Sequence, residues 1–226
     1  MISHGDSTQA TSNFSIKDCQ PETDPTSAFW RSAPVTFLTR DAFGKPLPGL
    51  STEVRSRWTL THLYLLFTCP YDTLRLNPDP VTLTKTNKLW EWDVAEVFLG
   101  SDFNNIRRYK EFEVSPQGEW VDLDVDLDSP NHEEGWVWSS GFEVASRIDP
   151  SKCIWYGSMR IPFSAIDSRP ASPGNMLRIN FFRSDGPGRS LVAWQPTMKP
   201  TFHVPEAFGT LLLEKGARQK TDNKAR

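Results

Sequence analysis

Leu89-Trp90-Glu91-Trp92-Asp93-Val94-Ala95-Glu96-Val97-Phe98-Leu99-Gly100 carries two tryptophans into a strand-like segment that bears a carboxylate on an otherwise apolar side. In an extended chain successive side chains point to opposite faces. From Trp92 to Leu99 this rule places Asp93, Ala95, Val97 and Leu99 on one face and Trp92, Val94, Glu96 and Phe98 on the other. Glu96 therefore stands among aromatics. An ionised carboxylate buried without a partner is costly, so such a residue implies a salt bridge, a metal, or a ligand with hydroxyls to grip. Flat rings beside hydrogen-bonding acids suit a sugar, whose C–H faces are apolar and whose edges are polar. The plainer alternative is a core tryptophan pair with a structurally paired glutamate, Arg57 and Arg108 being candidate partners.

Outward from this segment, chain breakers recur every 8 to 15 residues, among them Pro46, Pro70, Pro78, Pro116, Pro130, Pro150, Pro170, Pro187 and Pro205. That spacing leaves little room for helices and marks an all-β sandwich or barrel. Eleven strand-like stretches lie between the breakers: residues 35–39, 52–59, 62–69, 93–100, 108–115, 119–126, 141–148, 154–161, 177–183, 191–194 and 209–213. They predict a two-sheet antiparallel β-sandwich, jelly-roll-like, with at most one or two short helical turns. One such turn is expected after Ile161, where Pro162 suits a first helical position. Pro116-Gln117-Gly118 predicts a tight turn with positive φ at the glycine. Residues 71–89 read as a long, proline-bearing loop, a candidate wall for a binding site.

The 226 residues are read as one domain over 29–214, with a polar N-terminal extension at 1–28 and a basic mobile tail at 215–226. Nine tryptophans and 14 phenylalanines supply a sizeable core, and no apolar run is long enough to span a membrane. A net charge of −3, with no central basic stripe, argues against nucleic acid as a partner. Cys19, Cys69 and Cys153 have no metal-binding spacing and allow at most one disulfide. The first 28 residues lack the apolar run of a signal peptide, so the chain as written is not addressed for export.

Four stretches in order carry a resemblance: residues 90–100, Arg108-Tyr109-Lys110-Glu111-Phe112-Glu113-Val114-Ser115-Pro116-Gln117-Gly118, Met159-Arg160-Ile161-Pro162-Phe163, and Phe202-His203-Val204-Pro205-Glu206-Ala207-Phe208-Gly209. Together, over about Phe29 to Glu214, the chain resembles family 9 carbohydrate-binding modules and their stand-alone bacterial relatives. The resemblance implies a jelly-roll sandwich, a saccharide-binding cleft, structural calcium, no catalysis by the module, association with polysaccharide breakdown, and exported or cell-envelope relatives. In modules that grip sugar chain ends, one tryptophan of a sandwiching pair lies six residues before an acid, the spacing of Trp90 and Glu96. The second lies three residues after an asparagine on a late strand, a place that holds Arg183 after Asn180. Trp194 is a candidate for the missing ring.

The candidate ligand-binding set is thus Trp90, Trp92, Glu96, Arg108, Glu111, Asn180, Arg183 and Trp194. Strict alternation puts Asn180 with Phe182 and Ser184 on one face and sends Arg183 to the apolar one, unless the strand bulges or ends there. Asp122, Asp124 and Asp126 line one strand face and form a candidate calcium site, although water or basic neighbours across the sheet answer such a row equally well. His203 reads as a hydrogen-bonding anchor with Glu206 as its partner. The leading function is non-catalytic binding of an oligo- or polysaccharide. The alternatives are a glycoside hydrolase using two of Glu96, Glu111 and Glu113, and a haem-binding sandwich with Met198, Lys199 or His203 as axial ligand.

Overall fold

The computed structural model describes residues 7–188 and 190–216, so most of the basic tail lies outside the described residues. Thirteen strands run in chain order: β1 (Gln9–Phe14), β2 (Val35–Leu38), β3 (Arg40–Asp41), β4 (Thr52–Trp58), β5 (His62–Pro70), β6 (Val94–Gly100), β7 (Arg108–Val114), β8 (Trp120–Asp126), β9 (Glu143–Asp149), β10 (Ile154–Pro162), β11 (Met176–Asp185), β12 (Ser190–Ala193) and β13 (Gly209–Glu214). Helix is confined to four short 3-10 segments, at Leu89–Glu91, His132–Val137, Phe163–Ala165 and Pro205–Ala207. The third is the turn expected after Ile161. The β-sandwich expected from the breaker spacing is present, as one hydrogen-bonded path β8-β7-β6-β11-β13-β1-β4-β5-β10-β9 folded over on itself.

Alternation fixes what lies between the halves. Ala95, Val97 and Leu99 of β6 and Phe181 of β11 meet Val54, Leu65 and Phe67 from the other half in a single buried cluster. Phe67 and Phe181 touch edge to face across it, 6.1 Å between ring centres, an arrangement that favours aromatic pairs beyond their buried area. The halves pack closely at Gly157 of β10, where an added Cβ would lie 2.7 Å from Val114 of β7. The β7–β8 hairpin closes as its sequence predicts: Gly118 has φ of 88° and its N–H donates to the Ser115 carbonyl at 3.1 Å.

β1 lies within the stretch read as a polar extension. Only Ala10 and Phe14 are apolar in Gln9–Phe14, so the sequence carries no period-two signal there. Pairing in parallel with both β13 and β4 makes β1 the join between the two halves, and Phe14 packs on Trp58 at 4.8 Å. Its backbone, rather than its side chains, recruits it to the sheet.

Each half also buries its outer face. On β5 and β10, Tyr64, Leu66 and Tyr156 are covered by Trp30 and Ala33 from the segment before β2. On β6, β7, β8 and β11, a second apolar layer is built from Phe98, Tyr109, Leu123 and Phe182, with Phe202 laid over it. The candidate site lies in this layer. Among the described residues no helix is long and apolar enough to cross a membrane.

Candidate functional site

Trp90 reaches the site through a single turn. Lys88 adopts a left-handed conformation (φ 61°), and Trp92 N–H closes the Leu89–Glu91 turn on the Leu89 carbonyl at 3.0 Å. Leu89 is fully buried and anchors the turn, which sets Trp90 at the lip of a cleft of about 290 Å³. The floor of the cleft is the outer face of β6, β7 and β11, where alternation aligns Glu96 and Phe98, Glu111, and Ser184. Thr201, Phe202 and His203, from the segment preceding β13, form the opposite wall, and His132 and Glu133 close one end. Phe202 is fixed by stacking on Phe182, 4.1 Å apart at 15°. Residues 71–88 are pinned rather than open: the Arg75 N–H donates to Asp93 at 3.1 Å and the Asn77 amide to Glu119 at 2.6 Å. Among the cleft residues this loop is represented by the Trp90 turn that it delivers.

The floor is acidic. Glu96 and Glu113 are opposite one another in the β6–β7 register, and Glu111 follows on the same face of β7. One carboxylate oxygen of each lies within 4.8 Å of the others, and all three side chains are buried. Ser184 donates to Glu96 Oε1 at 3.3 Å. Burial pushes the Glu111 carboxyl up to about 7, against a hydrogen bond with Glu113 that favours the ionised form. Burial also lowers His203 to about 4, and the nearby His132 acts in the same direction, so its imidazole is neutral at physiological pH. Its Nδ1 is hydrogen-bonded to the Tyr109 hydroxyl at 2.7 Å, and its Nε2 lies 3.9 Å from Glu111 Oε2.

Of the eight residues expected at a ligand site, the structure brings Trp90, Glu96 and Glu111 together in the cleft. Trp92 packs on the same outer layer but lies outside the cleft, under the Arg75 guanidinium at 5.2 Å. Arg108 is spent on Asp126 at 2.7 Å. Asn180 is fully buried and bridges to Gln195, donating to its carbonyl at 2.8 Å and accepting from its N–H at 3.0 Å. Arg183 points into the space between the sheets, as alternation requires on a strand that runs on to Asp185. There it pairs with Asp185 and donates to Thr52 Oγ1 at 3.2 Å. Trp194 packs on Phe181 and against Gly209, on the core side.

The aspartate row is three separate ion pairs instead of a calcium site. Asp122 meets Lys85 at 2.7 Å, Asp124 meets Lys110 at 2.5 Å, and Asp126 meets Arg108. Lys85 comes from the long loop, and the other two come from the neighbouring strand. Arg57 is likewise not a partner of Glu96, since it donates to the Phe29 carbonyl and to Ser32. His203 anchors on Tyr109 rather than Glu206, while Met198 and Lys199 are exposed and do not converge with it on a haem pocket. Cys19, Cys69 and Cys153 are free thiols. Sequence reasoning missed Thr201, Phe202 and His132 as cleft residues, because irregular segments that cross a sheet face leave no periodic signal, and it placed Ser184 on its strand face without marking it as a site residue.

Comparison with known proteins agrees with this geometry. A crystal structure of a proposed carbohydrate-binding protein from Bacteroides uniformis ATCC 8492 is similar with a TM-score of 0.71 at 19% identity, covering 91% of this chain and 99% of that one. A carbohydrate binding module family 9 from Caldicellulosiruptor kristjanssonii, solved with cellotriose, is similar with a TM-score of 0.64 at 14% identity, covering 96% and 97%. The module from the same organism in complex with glucose gives a TM-score of 0.63, also at 14% identity, covering 94% and 99%. At these identities the likeness is one of fold. A curated relative from Arthroderma benhamiae, described as an extracellular protein, is 27% identical over 134 residues, which are 53% of this chain and 60% of the relative. The chain therefore spans less than two thirds of that relative's length. The sequence model of the family described as carbohydrate family 9 binding domain-like matches residues 25–216, and the chain belongs to that family.

Proposed function

We propose that this protein binds a saccharide in the cleft and performs no reaction on it. The observation that carries the proposal is the placement of the Trp90 ring at the lip and the buried Glu96 carboxylate on the floor of one small cavity. A ring face offers the sugar's C–H surface an apolar platform, and the carboxylate accepts from its hydroxyls. Phe202 and His203 line the same cleft as Trp90. A volume of about 290 Å³ is at the small end for ligand cavities and suits a chain end or a single ring rather than a stretch of polymer. Family membership and the related modules solved with cellotriose and glucose support the same class of ligand.

The hydrolase reading has less support. It needs one protonated and one ionised carboxyl flanking the scissile bond, about 5–10 Å apart. Glu96, Glu111 and Glu113 instead converge on one spot of the floor, an arrangement suited to grip. Titration calorimetry with glucose, cellotriose and a panel of plant and fungal oligosaccharides tests the proposal. Saturable binding of at least one sugar is expected, and Trp90→Ala should weaken it about thirtyfold, the cost of about 2 kcal/mol for a central aromatic anchor. No heat with any sugar, or full affinity in Trp90→Ala, would overturn it. Hydrolysis of aryl glycosides that disappears in Glu96→Gln would establish the alternative.

A further inference from the structure

Asp93 follows directly on the segment that delivers Trp90, and alternation decides where it points. The step that lifts Trp92 to the outer layer turns Asp93 the other way, where it is 1% exposed. A carboxylate in so dry a place needs donors for its oxygens, and two backbone N–H groups from separate segments supply them. Arg75 donates to Oδ2 at 3.1 Å, while the Asp93 N–H returns a bond to the Arg75 carbonyl at 2.9 Å. Gly186 donates to Oδ1 at 2.7 Å. Arg183 and Asp185 of β11, whose charges act on Asp93 in opposite directions, pair with each other.

The reciprocal bonds between Arg75 and Asp93 form the neck of the excursion 76–92, which carries Trp90. Closing that neck removes freedom the residues beyond it would otherwise keep. The Arg75 guanidinium lies over the Trp92 ring at 5.2 Å on the same neck. Gly186 stands just past the end of β11, the strand that places Ser184 on the cleft floor. Its φ of 67° suits glycine, and an added Cβ would sit 3.3 Å from the Thr73 carbonyl, so the turn after β11 abuts the chain entering the neck. Asn77 and Lys85 fasten the excursion to Glu119 and Asp122. Asp93 fastens it to β11.

We infer that Asp93 is a positioning residue of the cleft: its carboxylate ties the neck that carries Trp90 to the strand that carries Ser184, and so sets the gap between lip and floor. It touches no ligand and acts through Trp90. A ligand gripped between an aromatic face and the polar groups of a floor needs such a gap kept to within about 0.5 Å. Two fixed N–H groups on one buried carboxylate supply that rigidity from the backbone, independently of any side-chain rotamer. The consequence for affinity rests on the saccharide reading; the clasp itself does not.

The test uses the full chain labelled with 5-fluorotryptophan, and fluorine spectra are taken without sugar. The Trp90 resonance is assigned by its loss in Trp90→Phe, and that of Trp155, fully buried in the core between the halves, by its loss in Trp155→Phe. Asp93→Ala strands both N–H groups, so the Trp90 resonance should shift and broaden while that of Trp155 stays in place. Calorimetry with glucose and cellotriose should show affinity lower by about tenfold, the effect of losing one hydrogen bond to a charged group from the restraint on the lip. Asp93→Asn keeps one acceptor oxygen and should fall between Asp93→Ala and the unaltered protein in both measurements; it decides the matter if the alanine variant does not fold. The inference is overturned if the Trp90 resonance keeps its position and width in the folded variants, if the Trp155 resonance moves as far as that of Trp90, or if the variants bind sugar as tightly as the unaltered protein. Should the unaltered protein bind neither sugar, the saccharide reading loses its support and the fluorine spectra still decide the clasp.

Discussion

Two groups of three acids lie on opposite faces of the same three-stranded corner, and they are built to opposite rules. Asp122, Asp124 and Asp126 on β8 each meet one base at 2.5–2.7 Å, so charge is matched residue by residue. Glu96, Glu111 and Glu113, on β6 and β7, approach one another within 4.8 Å instead. The first group needs nothing from outside the chain. The second gathers buried carboxylates beside an aromatic lip, with Glu111 hydrogen-bonded to Glu113 and Ser184 donating to Glu96. The contrast teaches that an acidic row in a sequence says little until the bases opposite it are known.

The matched group is the place to break the comparison first. Asp122 is fully buried, held by Lys85 and by the Ser140 N–H at 2.6 Å. Lys85→Met removes the base and leaves an uncompensated buried carboxylate, and the expected loss is about 3–5 kcal/mol of unfolding free energy in urea titrations at pH 7. The double variant Lys85→Met with Asp122→Asn should recover part of it. A loss below 1 kcal/mol, about the value of an exposed pair, would mean that Asp122 is answered by something other than Lys85.

Burial of an acid gives the next effect, and Asp93 supplies it away from the cleft. Burial raises its carboxyl from 3.8 to about 6, although the Arg75 and Gly186 N–H groups both donate to it. With the folded-state value above the unfolded one, the native protein binds the extra proton, and stability falls as pH rises from about 4 to about 6. The shift corresponds to about 3 kcal/mol at most. Asp93→Asn should flatten that fall in chemical denaturation measured across the interval. Asp18 is the converse case: its hydrogen bond to Arg160 lowers its carboxyl, so its contribution weakens as the medium becomes acidic. An unchanged slope in Asp93→Asn would remove the buried acid as its source.

Asn180 comes next in size, because it separates a ligand contact from a structural one. Its amide both donates to and accepts from the Gln195 backbone. Asn180→Ala strands these groups and should cost about 1–3 kcal/mol of stability while leaving saccharide affinity, measured below the new melting point, within about twofold, well short of the tenfold that 1.4 kcal/mol would give. A large loss of affinity with stability intact would return Asn180 to the site.

These residues also mark how far the sequence could be read. The sandwich, the β7–β8 turn and the face that Glu96 occupies are local features, set by breakers, glycine conformation and period-two alternation, while the association of Trp90 with Glu96 came from the family resemblance. Alternation even sent Arg183 to the core side, where the structure holds it against Asp185. Whatever depends on register between distant strands was not legible. Glu96 opposite Glu113 is one case, and Lys110 and Arg108 beside the aspartates are another. The Phe202–His203 wall and the His132 end reach the cleft through irregular segments whose course no periodicity records. β1 stayed hidden because a strand paired on both sides needs few apolar side chains to be held.

The smallest expected effect is on the exposed middle pair of the matched row. Lys110 and Asp124 face each other across the β7–β8 pair, with the aspartate side chain 47% exposed. Water screens both charges, so Asp124→Asn should shift stability by less than about 1 kcal/mol, and the shift should vanish in high salt. Lys110 also lies over the Trp138 ring at 4.5 Å, a contact that survives the substitution and holds the lysine in place. A loss of several kcal/mol in Asp124→Asn would show that the aspartates act as one coupled network. The difference between a row of independent pairs and a converging trio would then have to be argued from the cleft residues alone.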